Sequence, residues 1–347
     1  MTSQTSMRAF GQMLDLARLK RIRLTPEPLG QRLVGGVLLH ANYNVPPGNV
    51  RIDVEGLERI PQEPVIFAMN HTDKYNYFPF QYYLWKRTGR LTATWVKGKY
   101  YESRAVGSFM EWTNQLPTVS RGYIIARDFL STVGRKPTVP EYDALRHWVD
   151  DAAAIDRQPG PTPAVEVPSE LLRQARSVLG CPFEPSQHSY AEAVNATYAA
   201  MMREFIGLHE QAFGCGLDLL IFPQGTRSVA LTRGHVGLAQ VALRYKKTVV
   251  PIGCSGSDLL YPGESPWAKP GHVRYRIGEP IAYGAVPDCT IDVPYEPFTP
   301  AAEHAHRAVF QRHVDFVMDR INDLLEPRYQ YGGDPEGTVV AGTERFL

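Results

Sequence analysis

Two groups of polar residues in this 347-residue chain have types and spacing suited to chemistry. The first is Asn70-His71, which follows the apolar run Val65–Met69 and precedes an aromatic-rich stretch. Neutral imidazole takes a proton from an alcohol near pH 7 when a partner fixes its other ring nitrogen. Asn76, after four intervening residues, is placed to reach back along the first turns of a following helix and accept from that ring N–H. Asp73 is the other candidate partner, but a two-residue offset faces away on a helix. A lone histidine before a helix is more often structural than catalytic, so His71 alone says little. The second group is more specific: Phe222-Pro223-Gln224-Gly225-Thr226-Arg227-Ser228, directly after the strand-like run Leu217–Ile221. Gly225 lets the backbone approach an anion closely, Thr226 and Ser228 offer hydroxyls, and Arg227 can grip a phosphate in a bidentate way. For an isolated Gly-Thr-Arg-Ser, a surface turn with a solvated arginine is the plainer reading.

Both groups need elements that hold them at one place. Apolar runs predict strands at Val50–Val54, Val65–Met69, Leu91–Val96, Leu116–Ser120, Leu217–Phe222, Thr248–Gly253 and Val273–Ile277. Helices are expected at Tyr77–Trp85, Tyr101–Gln115, Val236–Lys246 and Glu303–Leu325, the first as sheet-packing core. Ser189-x-x-Glu192 is a capping box, and the helix it opens carries a packing stripe of Val194, Tyr198, Met201, Phe205, Leu208 and Ala212. Strands alternating with helices predict a layered α/β fold with a mostly parallel central sheet flanked by helices. His71 and the Phe222 loop would then sit at carboxyl ends of strands, where open α/β sheets place their sites. The stretch of about 128–187, with its Pro-rich segment Gln158–Pro168, interrupts this rhythm and reads as an inserted helical and loop segment.

A chain of this length carries one large α/β domain or one domain with a sizeable insertion. Hydrophobic content of 44% and charged content of 21% are ordinary for a globular protein. A net charge of only +1 argues against a dedicated nucleic-acid binder. Cys181, Cys215, Cys254 and Cys289 are widely spaced and read as buried thiols in a reducing compartment. No apolar run approaches the roughly 20 residues that span a bilayer, and the amino terminus lacks the apolar core of a signal peptide.

Taken together, the motifs resemble the glycerol-3-phosphate and 1-acylglycerol-3-phosphate (lysophospholipid) acyltransferase family. Its Asn-His-x-x-x-x-Asp block is matched by Asn70–Asn76 except at the last position, and its Phe-Pro-Glu-Gly-Thr-Arg-Ser block by Phe222–Ser228 except at Gln224. Its intervening basic block is similar to Thr118-Val119-Ser120-Arg121-Gly122, and its later Val-Pro-Ile block to Val250-Pro251-Ile252. The closing Ile-Gly-Glu-Pro-Ile is matched by Ile277–Ile281, and Val54–Glu58 is similar to the family's lead-in. The resemblance covers about Val50–Leu325 outside the insertion. It implies the family's fold, with an acyltransferase domain over 46–330 and a tail at 331–347. It further implies transfer of a fatty acyl group from acyl-CoA or acyl carrier protein to a lysophospholipid or glycerol-phosphate hydroxyl, a step of phospholipid biosynthesis. His71 would be the general base paired with Asn76. Arg121, Gly225, Thr226 and Arg227 would bind the acceptor's phosphate, with Gln224, Ser228 and Pro251 as further substrate contacts. Such chemistry requires no metal or other cofactor.

Both acidic positions of the family blocks are amides here. In a serine-protease triad the corresponding Asp-to-Asn change costs about 10⁴ in turnover through the wrong tautomer. Two readings follow: a working acyltransferase with a neutral dyad, or a lipid- or thioester-binding relative without turnover. A third, a serine hydrolase using Ser255 in Gly253-Cys254-Ser255-Gly256-Ser257, lacks the final glycine of Gly-x-Ser-x-Gly. An acceptor with fatty chains implies a cytoplasmic protein docked on the inner face of a membrane. Residues 1–45 supply a basic amphipathic segment for this: Arg8, Arg18, Lys20, Arg21 and Arg23 among Met7, Phe10, Met13, Leu14, Leu16, Leu19 and Ile22. A helix packed on the protein's own core is the competing reading. A second cationic cluster, Lys86, Arg87, Arg90, Lys97, Lys99 and Arg104, is flanked by Trp85, Trp95, Tyr100 and Tyr101 and suits head groups or coenzyme A phosphates.

Overall fold

Strands buried on both faces read as continuous apolar runs rather than alternating ones, and the runs around both motifs are of this kind. In the computed structural model, which describes residues 13–46, 48–153 and 165–332, they form the middle of a seven-stranded sheet. Its strands are β1 (Val50–Glu55), β2 (Ile66–Met69), β3 (Thr92–Lys97), β4 (Leu116–Thr118), β7 (Asp218–Ile221), β8 (Val249–Ser255) and β9 (Gly271–Ile277). The order is β1-β9-β8-β2-β7-β3-β4. Every pairing is parallel except β8 with β9. A separate antiparallel hairpin joins β5 (Arg176–Val178) to β6 (Cys181–Phe183).

The helices are α1 (Leu16–Leu19), α2 (Leu29–Leu33), α3 (His40–Asn44), α4 (Tyr77–Thr88), α5 (Arg104–Trp112), α6 (Arg121–Val133), α7 (Val139–Ala152), α8 (Ser169–Arg173), α9 (Tyr190–Gly214), α10 (Gly237–Arg244), α11 (Ser257–Leu260) and α12 (Pro300–Leu324). A π-helical turn, Val34–Leu39, joins α2 to α3 without a break. The pleat sorts these helices into two layers. Ile66 and Ala68 of β2 face a core shared with α6, α7, α9, α10 and α12, while Val65, Phe67 and Met69 face one shared with α3 and α4. The chain thus has a layered α/β fold with a mostly parallel sheet between helices.

Caps set the helix ends. The Ser189–Glu192 box opens α9 as expected, and a second box, Thr138–Glu141, opens α7. The helix expected over Tyr101–Gln115 begins only at Arg104, because Ser103 caps it and a 3₁₀ turn, Gly98–Tyr101, comes first.

Two expectations change on contact with the structure. Asp128, the expected start of the insertion, lies inside α6, where Arg176 clamps its buried carboxylate at 2.9 and 2.6 Å. Leu145, Val149, Leu171 and Phe183 pack into the main core, while no strand in the described part of 128–187 joins the seven-stranded sheet. Most of the Pro-rich segment, residues 158–164, lies outside the described residues. The second correction concerns the amino-terminal segment. Leu14, Leu19 and Ile22 are fully buried, and Arg18 pairs with Glu111 at 2.9 Å and donates to the Tyr101 carbonyl. The competing reading, packing on the protein's own core, therefore holds over residues 13–24, of which Leu16–Leu19 are helical, because Leu14, Leu19, Ile22 and Leu24 join the main core. Met7, Arg8 and Phe10 lie outside the described residues, as do residues 333–347 of the tail. All four cysteines are free thiols, Cys254 and Cys289 buried and Cys181 and Cys215 half-buried. Among the described residues no helix is long and apolar enough to cross a membrane.

One ion pair fixes the start of the strand that leads into the Phe222 loop. Asp218 is buried, receives Arg90 through two bonds of 2.8 and 2.5 Å, and accepts from the Val65 amide at 2.9 Å. Removing one partner of such a pair leaves a buried charge uncompensated. Arg90→Met is expected to cost about 3–5 kcal/mol of unfolding free energy, read by urea denaturation; a loss under about 1 kcal/mol, as for an exposed pair, would refute this role.

Candidate active site

His71 lies just past the carboxyl end of β2, and four separate contacts hold it. Its ring stacks on Phe222, with centroids 4.2 Å apart and planes 21° apart. Its backbone N–H donates to Gln224 Oε1 at 2.9 Å, and its carbonyl accepts from the Ser228 amide at 2.8 Å. The two sequence motifs are thus stitched together through the histidine's own backbone. The fourth contact is Nδ1 to Asn76 Oδ1 at 3.2 Å.

Asn76 decides which tautomer His71 adopts. Its side chain is fully buried, and its Nδ2 donates to the Asn70 carbonyl at 2.7 Å. Reversing the amide would set two acceptors against each other at that contact, so Oδ1 is the atom left to face the imidazole. The Nδ1 position therefore carries the proton, and Nε2 is left with its lone pair free to accept. Asn70 is itself locked, exchanging two bonds with the Cys254 backbone at 2.9 and 2.7 Å, as if it extended β2 against β8. Burial is the main cause that pulls the imidazole well below its usual range, to about 3. The Asn76 bond opposes that shift, while the charges of Arg227 and Lys97 add to it. Asp73 takes no part: its oxygens accept from Thr72 Oγ1 and the Tyr75 amide at 2.9 and 2.8 Å, and burial raises its carboxyl to about 6.

His71 lines a cavity of about 1070 Å³, joined by Gly225 and Arg227 from the loop and by Lys74, Lys97 and Lys99. Val34, Leu38, Phe109, Met110 and Trp95 give it long apolar walls, and Tyr142, Asp143 and Arg146 of α7 form another side. Ligand sites of small molecules reach about 1,000 Å³ and combine apolar walls with few polar groups. Gly225 has φ of +66°, and a Cβ there would lie 2.9 Å from the His235 ring, so only glycine fits.

The expected residues do not all converge. His71, Asn76, Gly225 and Arg227 do. Arg121 does not: it opens α6 with its face toward α9, where it donates to Asn195 Oδ1 at 2.6 Å and lies over the Tyr198 ring at 4.1 Å. Thr226 does not line the cavity either. Gln224 and Ser228 hold His71 rather than facing the cavity, Gln224 being buried and also bonded to Thr232 at 3.1 Å. Pro251 sits within β8, its carbonyl accepting from the Gly278 amide. Lys74, Lys97 and Lys99 line the cavity where Arg121 does not. Lys97 and Lys99 belonged to the expected cationic cluster, which the fold divides: Arg90 is spent on Asp218, and Lys86 bonds Tyr82 at 3.0 Å. Lys97 ends β3 and Lys99 follows in the 3₁₀ turn, a place at a strand's carboxyl end that could have separated them from the rest of the cluster. Ser255 is buried in β8, its hydroxyl accepting from the Glu326 amide at 3.3 Å, and it does not line the cavity.

No protein-family model and no curated protein matches this chain. Among solved structures it is similar to the 1-acyl-sn-glycerophosphate (LPA) acyltransferase PlsC from Thermotoga maritima. The match has 15% identity and a TM-score of 0.36, covering 92% of this chain and 85% of that one. Superposition at that level carries no argument about the site, which stands on its own geometry.

The Asn70–Asn76 contact makes a specific prediction. Asn76→Asp keeps the shape but points a carboxylate oxygen at the Asn70 carbonyl, so it is expected to lower stability by about 1–3 kcal/mol. Urea denaturation measures this; unchanged or raised stability would contradict the assigned amide orientation.

Proposed function

We propose that this chain is an acyltransferase that moves a fatty acyl group from a thioester donor, acyl-CoA or acyl carrier protein, to the hydroxyl of a lysophospholipid or glycerol-phosphate acceptor. The observation that carries the reading is the His71 ring, held in the Nδ1–H tautomer on the wall of a long, mostly apolar cavity beside Lys74, Lys97, Lys99 and Arg227. The acceptor's O–H proton passes to His71 Nε2 as its oxygen attacks the thioester carbonyl carbon. The tetrahedral intermediate collapses, the C–S bond breaks, and the imidazolium returns the proton to the leaving sulfur. An anionic phosphate beside Arg227 and Lys97 offsets the two cations that oppose protonation of His71. The acceptor thereby supplies part of the negative charge that Asn76 lacks. The family resemblance of the motifs supports the same reading. The alternative, a lipid- or thioester-binding relative without turnover, is favoured by the depressed basicity of His71.

Membrane contact belongs to the proposal. Leu29, Leu33, Val37, Leu38 and Val45 are all exposed along the rod formed by α2, the π-helical turn and α3. Gly30 lets this rod close on α5, since a Cβ there would come within 2.4 Å of the Trp112 carbonyl. Val34 and Leu38 from the rod also line the cavity, so this exposed ridge borders the route to it. A lipid surface suits such a ridge better than water does.

Incubation with labelled acyl-CoA and lysophosphatidic acid, glycerol 3-phosphate or other lyso-acceptors tests the chemistry. Transfer is expected, and His71→Ala should lower it by about 10²–10⁴; tight lipid binding with no His71-dependent product would establish the alternative. Because His71 is depressed rather than raised, its neutral form persists in acid. In the free enzyme kcat/KM should stay level across the ordinary imidazole range and fall only as pH drops toward about 3. A loss centred near pH 6.5 would contradict the buried site. Cosedimentation with anionic liposomes should be abolished by Leu33→Glu with Val37→Glu, and binding indifferent to that pair would remove the ridge from the account.

A further inference from the structure

Residues 261–270 form a strap from α11 to β9, and Pro266 and Trp267 of it line the cavity. Three bonds anchor the strap from outside: Tyr75 Oη donates to the Glu264 carbonyl at 2.7 Å, Asn42 Nδ2 to the Pro266 carbonyl at 2.9 Å, and the Ala268 amide to Asn42 Oδ1 at 2.9 Å. These anchors set the Glu264 side chain beside two cavity-lining cations. Its Oε2 lies 2.7 Å from Lys74 Nζ and its Oε1 3.9 Å from Arg227 Nη1. The Lys74 bond is the main cause that holds its carboxyl below the usual range, with Arg227 and Lys99 adding to it.

We propose that Glu264 is a displaceable internal anion, paired with the cavity-lining Lys74 and close to Arg227 until the phosphate monoester of an acceptor takes its place. The inference rests on the acceptor reading given under the proposed function, and it adds a basis for selection. Glu264 is largely exposed, and exposed ion pairs are weak, so it yields easily. A phosphate carries more charge and more acceptor oxygens than one carboxylate, and gains more from Lys74 and Arg227. An uncharged head group has nothing to offer those cations in exchange. The site thereby ranks acceptors by charge, and an acidic strap on a phosphate site ceases to be a contradiction.

Calorimetric titration of the full chain with glycerol 3-phosphate, glycerol and coenzyme A tests this. Glu264→Gln is expected to tighten glycerol 3-phosphate by about two- to fivefold, the range an exposed ion pair supplies, and to leave glycerol unbound. Arg227→Met added to Glu264→Gln should reverse the gain. Equal or weaker binding of glycerol 3-phosphate to Glu264→Gln would overturn the internal-anion inference while leaving the anionic acceptor standing. A gain confined to coenzyme A would overturn the assignment to the acceptor. No binding of glycerol 3-phosphate to either protein would overturn the inference, and with it glycerol 3-phosphate as an acceptor.

Discussion

The Asn76 side chain is buried between the Asn70 carbonyl and the His71 ring, and the first of these contacts governs the second. A primary amide has one donating and one accepting end, so satisfying a carbonyl on one side leaves oxygen for the other. Inside the protein, where an unpaired polar group is costly, that choice is firm. The carbonyl that imposes it belongs to Asn70, whose own side chain is tied to Cys254 in β8. From the opposite side of the sheet's antiparallel pair, Tyr275 of β9 donates to the Asn76 carbonyl at 2.6 Å. Three strands therefore contribute to the direction of one proton on His71.

This arrangement bears on the two amides that stand where the family it resembles has carboxylates. An Asn beside a catalytic His is harmful when it donates and forces the wrong tautomer. Here Asn76 accepts, so the tautomer is preserved and what is lost is charge. Gln224 follows the same logic by a different route: it accepts from the His71 amide, donates to Thr232, and acts on His71 through its backbone. Neither amide can balance an imidazolium, and Arg227 and Lys97 nearby oppose one; the acceptor phosphate proposed above is the group that would offset them. Glu264, largely exposed, is held below the usual carboxylate range by Lys74, with Arg227 and Lys99 adding to it.

Much of the fold was legible in the sequence because buried parallel strands leave continuous apolar runs, and Val65–Met69 and Leu217–Ile221 are such runs. The Ser189–Glu192 cap was equally plain, being a local four-residue pattern. The approach of His71 to Asn76, Gly225 and Arg227 followed from motif order and strand ends. Arg121 was not predictable in this way. Its place in a matching block said nothing of the direction its side chain takes from the first turn of α6, which Asn195 and Tyr198 decide from 74 and more residues away. The buried fate of Leu14, Leu19 and Ile22 was hidden for a similar reason. An amphipathic pattern specifies an apolar face but not whether protein or lipid covers it. Glu264 carried no sequence signal at all, since its partners Lys74 and Arg227 come from distant segments.

The chemistry of the site turns on a neutral His71, protonated on Nδ1 by the directed acceptance of Asn76. Nitrogen-15 NMR of the histidine-labelled protein, assigned through His71→Gln, reads this directly at pH 7. A proton-bearing Nδ1 and an unprotonated Nε2 are expected for His71. A resonance pattern with the proton on Nε2, or on both nitrogens, would contradict it.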